Sequence, residues 1–200
     1  MYKELIRLVV AMITQPGKAW KKLAAKTERG DEHLSRFVYP LIGLVTLAAF
    51  AGVLFTEKSF NTELALKSAI RALVASFGGF FLASYLLNEL WKGIFKRGDN
   101  PRLCRRFTGY ASSLMFALDI VLSILPLSDF FFLRIFLLYT IYIVWEGAGP
   151  YMGITGVKIR LVFYDVSEQM FFTIAASTLI IAWPIFIREL MFLLMPGLRF

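Results

Sequence analysis

The chain has 200 residues, 58% of them hydrophobic and 16% aromatic, with 20 Phe, a mean hydropathy of +0.66 and a formal net charge of +8. A soluble domain of this size keeps about a third of its unfolded-chain surface in water, and its apolar share is usually about 45 to 50%; here the polar residues are too few and too segregated to cover that surface, so lipid is the expected solvent. Cys104, the single cysteine, excludes an internal disulfide, and His33, the single histidine, argues against a zinc site.

The basic residues flank apolar runs, as topology determinants do, which argues against a nucleic-acid partner. At the start, Leu5, Leu8, Val9 and Met12 recur at helical spacing opposite Lys3, Glu4 and Arg7. After Pro16 the run GKAWKKLAAK sets Trp20 among Lys18, Lys21 and Lys22. A basic amphipathic helix with a Trp is the pattern of a segment lying among headgroups. The alternative is a helix docked beneath a bundle. On the first reading Lys18, Trp20, Lys21 and Lys22 contact the lipid surface, together with Arg102, Arg105 and Arg106 further on.

A helix needs roughly 17 to 25 apolar residues to cross a ~30 Å hydrocarbon core. Five stretches qualify, at about 38–55, 72–91, 108–127, 130–149 and 170–187. The expected fold is therefore an all-α membrane protein, a single domain over 1–200 with five transmembrane helices in a bundle. The short amphipathic segment 1–37 precedes it. Short connections predict antiparallel neighbours. Eight Lys and Arg precede the first span, six lie between spans two and three, and two lie before span five; only five fall on the opposite side. Because positive loops stay in the cytoplasm, the N-terminus is expected inside and the C-terminus outside.

Ionisable groups within spans are expensive and need a partner or a function. Asp119 and Arg134 lie eight residues before and seven after Leu127, so adjacent antiparallel helices place them at similar depth. This predicts an intramembrane pair, structural or substrate-binding, with the structural reading favoured. Glu89 and Glu146, at the cytoplasmic ends of spans two and four, form a candidate acidic site for a cation or a proton. Each could equally face headgroup water or pair with a neighbouring base.

Gly78 and Gly79 in span two permit close helix contact, and Pro184 in span five predicts a kink. No span holds a histidine, and the serines of GYASSLM have no base partner in sequence, so serine- and metal-type membrane protease chemistry is not expected. No cofactor is expected either.

The opening TQPGKAW, the third-span entry FTGYASSLMF and the glycine-rich exit GAGPYMGITG together resemble the Yip family, the Ypt-interacting membrane proteins. The resemblance extends over nearly the whole chain and implies five spans with a cytoplasmic N-terminus. Eukaryotic members carry a long cytosolic N-terminal region and a proline about where Leu114 stands, and some carry a DLYGP tract; these are missing here. The resemblance thus implies a compact bacterial inner-membrane member and leaves the GTPase binding of eukaryotic relatives behind.

Two functions follow. One is a non-enzymatic membrane-organising or adaptor protein, whose basic cytoplasmic face meets anionic headgroups, membrane-protein partners or a second copy of itself. The other is a small transporter, channel or lipid-moving protein using the intramembrane charges, which would need a solvent-filled cavity reaching them.

Overall fold

A computed structural model describes residues 2–26, 32–56, 61–125, 131–154, 158–161 and 164–194. The chain begins with α1 (Tyr2–Thr14) and α2 (Pro16–Ala24), then a π-helical turn (Leu34–Val38) that runs into α3 (Tyr39–Thr56). Next come α4 (Thr62–Gly93), α5 (Pro101–Ala111) and α6 (Ser113–Ile124), followed by a 3₁₀ segment (Phe131–Leu138) that continues into α7 (Tyr139–Ala148). A small antiparallel hairpin, β1 (Lys158–Leu161) with β2 (Tyr164–Ser167), precedes α8 (Glu168–Leu194), with Lys158 opposite Ser167 and Leu161 opposite Tyr164.

Local chemistry sets the helix ends. Asn61 is extended and its Oδ1 accepts the amides of Glu63 at 3.0 Å and Leu64 at 3.2 Å, capping α4. Asn100 caps α5 in the same way through Leu103 N at 3.1 Å, and Pro101 follows at the first helical position. At the far end of α4, Arg97 N bonds Trp91 O at 3.2 Å, and Lys96 adopts a left-handed backbone with φ 51°. This is a helix-terminating turn of the type usually given to glycine.

Among the described residues, three helical stretches are long and apolar enough to cross a membrane: Leu34–Val53, α4 and α8. A fourth arises if α5 and α6, bent by 41° at their junction, are one broken span. The molecule is thus an all-α membrane protein apart from the hairpin, but helix length alone does not reach five. The expected third span, 108–127, is not a single rod. It starts earlier, at Pro101, and is interrupted at Ser112, whose ψ is −1° and whose hydroxyl bonds back to Thr108 O at 2.7 Å. The expected fourth, 130–149, is 3₁₀ over its first half and α-helical only from Tyr139; its first residue, like 126–127 at the end of the expected third span, lies outside the described residues.

Helix α4 packs chiefly against α8 and α3, α3 also against α6, and α7 against α8 and α2. Small residues set the closest crossings. A Cβ on Gly79 would meet the Pro184 ring, so α4 and α8 touch where the predicted proline lies. Outward faces carry Leu47, Ile135 and Leu193, each more than three-fifths exposed, as lipid-facing residues do.

Candidate functional site

Alternation of small or apolar residues with lysines gives α2 two faces. Pro16, Ala19, Trp20 and Leu23 are buried, while Lys18, Lys21 and Lys22 are exposed. Trp20 is fully buried, its Nε1 donates to the carbonyl of Ile143 at 2.8 Å, and its ring stacks on Phe107 with centroids 4.9 Å apart. Gly147 lies directly under the indole, where a Cβ would collide with it. Trp20 is therefore not a lipid-surface contact as the sequence reading had it. The bundle supplies both an aromatic shelf and a backbone carbonyl acceptor for the indole N–H, so protein takes the place expected of headgroups. Helix α1 turns Leu5, Val9 and Met12 inward, and Tyr139 donates its hydroxyl to Ile13 O at 3.0 Å.

Of the arginines expected beside these lysines, Arg102 is exposed, whereas Arg105 and Arg106 are half-buried. The Arg105 guanidinium lies over the Phe81 ring at 5.8 Å.

The junction of α4 and α5 is a polar knot. Asn88 donates to Asp99 at 2.7 Å and accepts Asn100 N at 3.2 Å, and Lys92 reaches Glu89 at 2.7 Å. Arg97 lies 4.9 Å from the Trp91 ring centroid, donates to Gly153 O at 3.0 Å, and pairs with Glu168 at 3.0 Å. That carboxylate is 7% exposed. Sequence reasoning missed this pair because Arg97 had been assigned to topology alone. Of the two expected acidic residues, Glu89 is exposed and engaged with Lys92, while Glu146 sits on α7 against Gly17 in the first turn of α2. There its charge faces the positive end of that helix. Among the described residues, no group of three or more His, Cys, Asp or Glu is placed to hold a metal ion.

Within the bundle, Asp119 on α6 is 9% exposed and its Oδ1 meets Nη2 of Arg188 on α8 at 2.8 Å. The expected partner, Arg134, stands exposed on the 3₁₀ segment, and its charge acts on Arg71 of α4 together with those of Arg188 and Glu189. Sequence reasoning overlooked Arg188 because it ended the fifth span at 187; α8 in fact continues to Leu194 and holds that guanidinium in the bundle. A cavity of about 10 Å³ touches Asp119, which leaves room for water but not for a larger solute.

A family model described as the Yip1 domain matches residues 10–164, from α1 to the start of β2. No curated protein and no solved structure matches the chain.

Proposed function

From the premise that the chain belongs to the Yip1-domain family, we propose that it is a non-enzymatic, multi-pass membrane-organising or adaptor protein whose cytoplasmic face gathers anionic headgroups. The observation that carries this reading is α2: Trp20 fixes the helix to the bundle, and that attachment turns Lys18, Lys21 and Lys22 outward as a rigid row. A loosely tethered basic segment loses entropy on meeting a surface, whereas a docked one has already lost it. At about 1 kcal/mol for each lysine near an anionic surface, three aligned lysines together contribute up to about 3 kcal/mol of attraction to anionic lipid. The N-terminus is proposed to lie in the cytoplasm and the C-terminus across a bacterial inner membrane, with five crossings including the broken α5–α6 unit and the 3₁₀–α7 unit. Passage of a solute at Asp119 is not supported, because the cavity there is no larger than a water molecule requires, and the cavity of about 600 Å³ bordered by Glu146 does not include Asp119.

The test is lipid selectivity. In reconstituted full-length protein, spin-labelled phosphatidylglycerol should be enriched several-fold over phosphatidylcholine in the motionally restricted shell. The enrichment should fall in high salt and in a Lys18→Gln/Lys21→Gln/Lys22→Gln variant. Equal restriction of both lipids, or enrichment untouched by the triple change, would remove the basis for the proposal.

A further inference from the structure

Three transmembrane helices meet at one polar point. Ser76 of α4, Ser112 and Asp119 of the α5–α6 unit, and Ile180 and Pro184 of α8 border the cavity of about 10 Å³. Its polar groups have unspent hydrogen-bonding capacity. Ser76 is 3% exposed, and its hydroxyl is buried without a hydrogen-bond partner. Thr108, Ser113 and Thr140 also bury an unpartnered hydroxyl, but of these four only Ser76 borders the cavity, whereas Ser84, Ser112, Ser123, Thr173 and Ser177 each donate to a carbonyl three or four residues back. Pro184 has no amide hydrogen, so the carbonyl of Ile180, four residues earlier, loses its helical donor. Asp119 gives Oδ1 to Arg188, and a carboxylate has capacity for further donors.

The geometry points to a binding site for one ordered water molecule. The water donates to the Ile180 carbonyl and to the Asp119 carboxylate and accepts from the Ser76 hydroxyl. Three partners are what a buried water typically takes, and the volume meets the minimum for one. Within a bilayer, freed carbonyls at a proline are commonly re-satisfied in this way. A sodium ion is the poorer occupant, since it would share Asp119 with a guanidinium 2.8 Å from that carboxylate. The close approach of Gly79 to Pro184 brings α4 to the proline, and the water then joins α4, α6 and α8 through one hydrogen-bond network.

A double-mutant cycle on the purified full-length protein tests this by thermal unfolding. With the water present, Ser76→Ala lowers Tm by a few degrees. Pro184→Ala supplies an amide to Ile180, and the serine effect becomes smaller in that background. A dry cavity gives the opposite result: Ser76→Ala raises Tm, because an unsatisfied hydroxyl has been removed, and the two changes add. Should Pro184→Ala fail to fold, the carboxylate stretching band assigned by Asp119→Asn gives a second reading. It shifts in Ser76→Ala if a shared water is lost and stays in place if the cavity is dry. A Tm increase in sodium chloride over choline chloride at equal ionic strength, absent in Ser76→Ala, would overturn the water in favour of a cation.

Discussion

The indole of Trp20 reaches across 123 residues of sequence to donate its hydrogen to the carbonyl of Ile143, tying the amphipathic start of the chain to the middle of α7. The bond lies within an aromatic group of Trp20, Phe107, Tyr110 and Tyr151, in which Trp20 contacts each of the other three rings. Docking of α2 thus rests on one side chain more than on the helix as a whole.

Trp20→Ala should therefore cost about 3 kcal/mol or more, the usual range for truncating a fully buried large aromatic. Trp20→Phe keeps the ring stacking and loses only the indole's hydrogen bond to the Ile143 carbonyl, for about 1 kcal/mol. Thermal unfolding in detergent gives the order, and limited trypsin digestion at Lys21 and Lys22 reports whether α2 has come loose. If Trp20→Ala melts with the wild type and resists trypsin equally, the docked helix is not what holds this face.

The buried Glu168 carboxylate depends on Arg97, a residue with three jobs: ion pair, hydrogen bond to Gly153 O, and packing over Trp91. Arg97→Ala leaves Glu168 charged and unpaired, at a cost of about 2 kcal/mol once the third of the arginine side chain that faces solvent is allowed for. Glu168→Gln removes the charge but keeps an acceptor and should cost less. An Arg97→Ala/Glu168→Gln double variant that is better than Arg97→Ala alone is the expected signature. Additive losses would mean the two side chains act independently.

Glycines of two spanning helices have opposite roles. Gly79 abuts Pro184, so Gly79→Ala must push α4 from α8 and should lower Tm clearly; Gly43 has nothing within 4 Å of a Cβ, so Gly43→Ala should be neutral or stabilise α3 by up to about 1 kcal/mol. Equal effects at the two positions would contradict the α4–α8 contact.

How much of this was legible in sequence depended on what buries each residue. The apolar face of α1 (Leu5, Val9 and Met12) followed from periodicity, but not that it packs on protein rather than on lipid. Trp20 was placed at the lipid surface because hydropathy cannot tell burial in lipid from burial in protein. The break at Ser112 was hidden because its hydroxyl's bond to Thr108 O leaves no trace in hydropathy. Arg188 was misread because apolar composition falls off near Ile187, while helical hydrogen bonding continues for seven more residues to Leu194. The β1–β2 hairpin lies in a segment treated as a charged loop, and its only signal was the run of β-branched, aromatic and aliphatic residues between Ile159 and Val166.

Topology is open to direct measurement through α4, whose 32 residues span about 48 Å at 1.5 Å each. Cysteines at Gly98 and Thr62, with buried Cys104 replaced by alanine, should label from opposite sides, Gly98→Cys from the cytoplasm. Labelling of both from one side is incompatible with α4 as a span, and labelling of Gly98→Cys from outside would invert the proposed orientation.

Asp119 and Arg188 should be coupled energetically because the carboxylate is nearly buried and their charged atoms are 2.8 Å apart. Removing either partner leaves a charge without its counter-ion in a low-dielectric setting, which typically costs 3 to 5 kcal/mol for a buried pair, and about 2 kcal/mol is a fair expectation here because part of Arg188 remains exposed. Replacing both residues by leucine can come close to neutral, since no charge is then stranded. The measurement is thermal stability of Asp119→Leu, Arg188→Leu and the double variant, with a parallel cycle using Arg134→Leu. Strong coupling to Arg188 and weak coupling to Arg134 is the outcome the geometry predicts. Coupling of Asp119 to Arg134 alone would restore the pair expected from the hairpin between the third and fourth spans. Coupling to both would mean that α6, α8 and the 3₁₀ segment share one charge network, within which Asp119 balances two guanidinium groups.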